Sequence, residues 1–220
     1  MSSSRYQKKD RFHQRAKREA FAARSVYKLE ELDRRYGLVK KGDRVVDLGA
    51  APGSWMQYLA RVVGKKGAVV GYDIVAPSVG GGPNTRTFIA DVHELTVERI
   101  RRDLFDLVAD VEGRETSDGP IAPSFGPHLF VSDVAPKLTG IRDADQAKSV
   151  ALASRALGLA SGLLPAGGGR FAAKLFQGRD TDAFIEEVKQ VFEKVKLVKP
   201  EATREGSREV FVVGLQRRGK

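Results

Sequence analysis

The sequence predicts an α/β protein with a mostly parallel sheet and helices on both faces. Three observations carry that prediction. Short apolar runs of strand length alternate with segments of helical periodicity, the pattern of successive βαβ units. A Gly-Ala-Ala-Pro-Gly turn (residues 49–53) follows the first apolar run. The run at 170–176 is apolar on alternate and intervening positions alike, as in a strand buried on both faces.

Taken in order, residues 20–36 read as a helix, with Val26, Leu29 and Leu32 at helical spacing and Gly37 as a stop. Residues 44–48 form a first strand, and the glycine-rich turn leads into a helix over 54–63. Strands follow at 68–73 and 86–90, a helix at 94–105, and a fourth strand at 128–133. A long helix over 145–164 stops at Pro165 and three glycines, ahead of the fifth strand. Phe184, Ile185, Val188, Val191, Phe192 and Val195 mark one amphipathic helix face. Two strands, at 195–199 and 209–216, close the chain. Segments 78–83 and 111–127, rich in Gly and Pro, read as surface loops.

The 220 residues are ample for one core. The expected organisation is a basic arm over 1–23 and one domain over 24–220. No apolar run approaches the roughly 20 residues of a membrane span, and no secretory leader is read at the N-terminus, so a cytoplasmic location is expected. With no cysteine, disulfides, thiolate metal sites and cysteine nucleophiles are excluded. Lys plus Arg exceed Asp plus Glu by 38 to 28, and residues 1–20 hold seven bases against two acids. Tyr6, Phe12 and His13 interleave with those bases. Such a segment suits a polyanion, because each neutralised phosphate releases counterions; a solvated basic tail is the plainer reading.

Doubly wound sheets bind ligands beyond the C-terminal ends of their strands, where Gly49–Gly53 lies. The turn lacks the third glycine of a dinucleotide fingerprint, and Pro52 removes a donor that a pyrophosphate would use. That disfavours a nicotinamide dehydrogenase and favours a nucleoside ligand such as S-adenosylmethionine. Asp73, ending the second strand, can accept both ribose hydroxyls, and Asp91, just after the third, can meet an adenine amino group. Helix capping is the plainer role for both acids. Lys174 stands inside the buried fifth strand, where lysines are found only when paired. Desolvation and a second cation nearby would make it a base. Asp133 ends the fourth strand, close to Pro136.

Five segments in order resemble the FtsJ family of ribosomal RNA ribose 2′-O-methyltransferases: Arg24-Ser-Val-Tyr-Lys-Leu29, Val46-Asp-Leu-Gly-Ala-Ala-Pro-Gly-Ser-Trp55, Ser132-Asp-Val-Ala-Pro136, Lys174-Leu-Phe-Gln-Gly178 and Ser207-Arg-Glu209. The resemblance implies a Rossmann-like methyltransferase fold with seven strands, the last inserted antiparallel beside the fifth. It implies a catalytic set of Lys28, Asp133, Lys174 and Glu209, and cofactor contacts at Gly53, Trp55, Asp73, Asp91 and Asp133. It further implies S-adenosylmethionine as cofactor, no metal, and a uridine of 23S rRNA in the large ribosomal subunit as substrate. A monomer without an obligate protein partner is expected. A transfer RNA or another rRNA ribose, or a non-catalytic role in ribosome assembly, are the alternatives. Lys137-Leu-Thr-Gly140 departs from the Asn-x-Ser-Gly usual in the family, and the 111–127 loop is long for it.

Overall fold

The computed structural model describes residues 3–116 and 119–219, with side chains from Arg11 onward. Seven strands form one sheet in the order β3-β2-β1-β4-β5-β7-β6. They are β1 (Arg44–Leu48), β2 (Ala68–Asp73), β3 (Thr85–Ile89), β4 (Leu129–Ser132), β5 (Arg170–Phe176), β6 (Phe192–Val198) and β7 (Glu209–Arg217). The five strands from β3 to β5 are parallel, and β7 runs antiparallel between β5 and β6. The chain moves outward from β1 to β3 and then returns to place β4 on the other side of β1. The switch point therefore lies between β1 and β4, where such sheets bind their ligands.

Strand composition follows position. The central strands β1, β2, β4 and β5 are buried along nearly their whole length. The edges differ: β3 is half-exposed, and β6 turns Glu193, Lys194 and Lys196 to solvent or near it. Charge on an edge strand discourages pairing with another chain. Alternate residues of one strand feed two cores. Val46 and Leu48 pack with α4 (Val97–Glu112), α5 (Arg142–Leu163) and α6 (Thr181–Val191), whereas Val45 packs with α2 (Val26–Tyr36) and α3 (Ser54–Val63).

Several boundaries differ from the expectation. The helix expected over 20–36 begins only at Val26, and α1 (Ser3–Arg18) precedes it. Between them Ala20 takes a left-handed backbone (φ 58°). The side-chain amide of Gln57, on α3, serves the broken backbone, accepting from Ala22 N (2.9 Å) and donating to Ala20 O (3.2 Å). Helix α4 starts at the Thr96 cap, which accepts from Arg99 N, and runs to Gly113, well past the expected end. Phe192 continues the apolar face of α6 on paper but already lies in β6, opposite Arg217 of β7, three residues ahead of the expected strand; pairing with β7 prevails over helical periodicity.

The segment read as an arm is helical and docked. Phe12 lies 5.5 Å from the Tyr27 ring, the Arg15 guanidinium sits over that ring, and Arg15 pairs with Glu30 at 2.9 Å. The side chains of Arg5, Lys8 and Lys9 lie outside the described residues.

At the N-terminal end of β5, Arg170 is buried and donates to Asp43 Oδ1 (2.9 Å) and Leu38 O (2.5 Å). Replacing Arg170 with Leu strands a buried acid, so chemical denaturation should show a loss of about 3–5 kcal/mol. Exchanging Asp43 for Leu as well should recover part of that loss; no recovery would mean the pair is not the source.

Candidate active site at the C-terminal edge of the sheet

The residues from four distant segments meet at one edge because of the strand order. β4 and β5 are parallel neighbours, so Asp133, following Ser132, and Lys174, near the end of β5, arrive side by side. β7 is antiparallel, so its first residue, Glu209, pairs opposite Phe176 at the same edge. Lys28 reaches in from α2. The Lys174 ammonium donates to the Asp133 backbone oxygen at 2.7 Å and lies 2.8 Å from its Oδ1. Lys28 donates to Glu209 Oε2 at 2.8 Å. Lys174 is 6% exposed and Lys28 9%.

Each lysine thus has its own carboxylate, which is what permits two cations so near each other in a buried place. The sequence suggested a paired Lys174 with a second cation nearby; the structure gives each lysine its own carboxylate. Burial alone would push the Glu209 carboxyl up. The Lys28 ammonium, helped by Lys174 and a Ser207 hydrogen bond, outweighs burial and holds it below the usual carboxylate range. Arg24, partly buried nearby, has its pKa lowered by burial and by the Arg204 guanidinium, with Glu209 opposing. Two guanidiniums in this position leave positive charge at the rim, where an anion can approach.

On the other side of Asp133 a cavity of about 420 Å³ opens over the ends of β1 to β4. That volume suits a small ligand. Asp73, Asp91 and Asp133 all line it. Asp73 uses one carboxylate oxygen to accept from Ala51 N (2.9 Å), which ties the end of β2 to the glycine-rich turn, and the other to accept from Val75 N (3.2 Å). Asp91 accepts from His93 N (2.9 Å). Both acids face the cavity and accept from turn backbone, and neither caps a helix, since Thr96 caps α4 and Gly53 precedes α3. Ile74, 69% exposed, adds an apolar wall at the mouth.

Trp55 and Gly53 sit elsewhere. The Trp55 ring is buried against Phe211 (centroids 5.9 Å apart), and its indole nitrogen donates to Ser25 O at 3.0 Å. It braces α2 and β7 from behind and does not line the cavity. Gly53 (φ 112°) lies under the loop that follows β2, where a Cβ would stand 2.4 Å from Val79 O. Gly49 (φ 84°) faces the other way, and a Cβ there would stand 2.9 Å from Val134 N. Both glycines answer to close backbone approach as well as to left-handed geometry.

Sequence reasoning singled out neither Ile74 nor Asp47. For Ile74 the available signal was an apolar residue placed directly after a strand-ending acid. Asp47 lies inside β1, fully buried, and neither carboxylate oxygen has a hydrogen-bond partner among the described residues. Burial, and then the Asp133 and Asp73 carboxylates, push its carboxyl well above the usual range. The signal here was an acid inside an otherwise apolar run.

Comparisons with known proteins agree with this fold. The family model described as FtsJ-like methyltransferase matches residues 21–217. The Ribosomal RNA large subunit methyltransferase E of Myxococcus xanthus (strain DK1622) is 42% identical over 215 residues, 97% of this chain and 91% of that protein. Its counterpart in Bdellovibrio bacteriovorus is 40% identical over 213 residues, covering 97% and 99%. A solved structure from Plasmodium falciparum, described as a ribosomal RNA methyltransferase, superposes with a TM-score of 0.73 at 22% identity. It covers 91% of this chain and 100% of that one, a likeness of fold.

The Asp47 carboxyl yields a pH prediction. In the unfolded chain it ionises near its ordinary value, whereas in the folded chain it stays neutral to higher pH. Folding above that ordinary value must therefore take up a proton, and stability falls as pH rises. Asp47→Asn removes this penalty. Its thermal midpoint relative to the native protein should climb between pH 4 and pH 8. A difference that is flat with pH would show Asp47 to be ionised in the fold.

Proposed function

Because the chain belongs to the FtsJ-like methyltransferase family, we propose that it methylates a ribose 2′-hydroxyl of large-subunit ribosomal RNA with S-adenosylmethionine as donor. The observation that carries this reading is the convergence of Lys28, Asp133, Lys174 and Glu209 at one edge, with Asp133 shared between the lysine pairs and the cavity. The relatives named for large-subunit rRNA supply the substrate class, and the resemblance adds a uridine as the nucleotide.

The lining fits an adenosyl group. Asp73 offers carboxylate oxygens to vicinal hydroxyls, Asp91 offers one to an exocyclic amine, and Ile74 offers an apolar face to a flat base. Gly49 and Ala51 bring backbone rather than side chain to the wall. Trp55 and Gly53 hold the turn in place from behind. The bound sulfonium would supply an electrophilic methyl together with its own leaving group, so no metal is required by this chemistry.

The chain's own residues manage the hydroxyl. Lys174 Nζ, in its uncharged form after releasing a proton to solvent, takes the 2′-hydroxyl proton as the oxygen attacks the methyl and the methyl–sulfur bond breaks. Asp133, fixed beside it, stabilises the ammonium that results. Glu209 orients the hydroxyl, and Lys28 keeps Glu209 ionised and in place. Proton transfer of this kind contributes roughly 10²–10⁴-fold, and fixed positioning contributes much of the rest. Arg24 and Arg204 at the rim, with the basic α1 segment, attract the RNA backbone.

Two variants separate chemistry from binding. Lys174→Ala should abolish methyl transfer to large subunits from a deletion strain while S-adenosylhomocysteine affinity, measured by calorimetry, changes by less than about threefold. Residual activity near the native rate would remove Lys174 from the chemistry. Asp73→Ala should weaken cofactor binding by about 10- to 100-fold, the scale of a lost charge-assisted hydrogen bond. Undiminished affinity would take the ribose away from Asp73. Mapping 2′-O-methylation in rRNA from the deletion strain, with and without complementation, identifies the nucleotide.

A further inference from the structure

The loop joining β4 to α5 carries an arrangement that the chemistry above does not use. It leaves the catalytic centre at Asp133 and returns to it at Arg142, whose backbone oxygen accepts from Arg208, the residue preceding Glu209. Between those points Leu138 is 65% exposed and Ile141 66% exposed. These are large aliphatic side chains outside both cores, on a protein whose remaining exposed large hydrophobics are few. The turn presenting them is rigidly built. The Asp145 carboxylate, from the first turn of α5, accepts from Thr139 N (2.7 Å), Thr139 Oγ1 (2.7 Å) and Gly140 N (3.1 Å). Gly140 supplies the left-handed backbone (φ 84°) that turns the chain between the two side chains. Exposed Lys137 and Arg142 flank the pair, and residues 134–142 contain no acid, the exposed Asp143 following them.

A fixed projection with an apolar tip and a basic base, beside a buried reactive group, has a specific use on RNA. Lys174 and Lys28 are nearly inaccessible, so a ribose held within a stacked strand cannot bring its 2′-hydroxyl to them without leaving the stack. Turning a nucleotide out exposes the faces of its neighbours, and an aliphatic side chain that covers an exposed face offsets part of that cost. We infer that Leu138 and Ile141 form an apolar wedge that packs on the base flanking the target nucleotide and keeps the target turned toward Lys174. Lys137 and Arg142 hold the adjoining phosphates. The charge around the tip favours RNA over a protein surface as its occupant. The inference rests on the function proposed above and extends it to how the substrate is presented.

The test uses the full-length protein and large ribosomal subunits isolated from a deletion strain. The double variant Leu138→Ser/Ile141→Ser should lower kcat/KM by about tenfold or more, the scale of losing contact with one or two bases, mainly through KM. Its S-adenosylhomocysteine affinity and thermal midpoint should match the native values, since neither side chain is packed. Leu138→Met/Ile141→Leu should stay within about twofold of native. Replacing the aliphatic pair should leave the salt dependence of KM unaltered, whereas Lys137→Ala/Arg142→Ala should flatten it. A serine double variant within twofold of native, or one that flattens the salt dependence, overturns the wedge. A defect in binding intact subunits that is missing with deproteinised large-subunit RNA assigns the pair to a ribosomal protein and also overturns it. Failure of the native protein to methylate the subunits at all would instead overturn the function on which the wedge rests.

Discussion

The contact between Asp133 and Lys174 is the one on which the rest of the site is organised. It requires two parallel strands to be neighbours and to end in register, so that a residue just beyond one meets a residue near the end of the other. It requires the sheet at that edge to be closed off from water. The antiparallel insertion of β7 meets the second need and also delivers Glu209. The fifth strand shows how placement decides meaning. It carries a buried cation near each end of one face, Arg170 and Lys174. Arg170, at the end away from the ligand, pairs with Asp43 and a backbone carbonyl and ties the chain before β1 to the sheet. Lys174, at the other end, has the same kind of partner, and that partner, Asp133, lines the cavity. Similar physics therefore gives a structural brace at one end and, on the function proposed above, a proton acceptor at the other.

Much of this was legible in the residues, because the strongest features are local. The apolar runs of the central strands are short, continuous and separated by turn residues, so all seven strands could be read, with boundaries shifted by a few residues. Acids placed directly after strands two, three and four mark the ligand edge without any knowledge of neighbours. Lys174 and Asp133 stood out in the residues themselves, whereas Lys28 and Glu209 came from matched segments, since only tertiary structure shows that Lys28 on a helix and Glu209 on the last strand lie 2.8 Å apart.

What was not legible depends on contacts between distant segments. The break after α1 is satisfied by Gln57, thirty-odd residues away, which no local pattern signals. Phe192 obeys a helical period and begins a strand, because its partner in β7 outweighs its neighbours in sequence. Trp55 stands two residues past the glycine turn, next to the ligand in sequence, yet its side chain turns back to Phe211. Asp47 shows in the sequence only as an acid inside an apolar run; that its oxygens lack partners among the described residues and that the Asp133 and Asp73 charges act on it are tertiary facts.

The backbone contact at Gly49 joins the two halves of the site. The turn over the cavity and the peptide of Val134 abut with no side chain between them. Val134 opens the segment that ends at the aliphatic pair, and Asp133, one residue back, holds Lys174. The cavity, the carboxylate that pairs with Lys174 and the loop carrying the aliphatic pair are consequently joined through one continuous stretch of main chain. A stretch of that kind has little slack: widening the turn pushes the very peptide that fixes the lysine. Occupancy on one side should thus be felt on the other as a change in affinity, and by thermodynamic reciprocity the two ligands must influence each other equally.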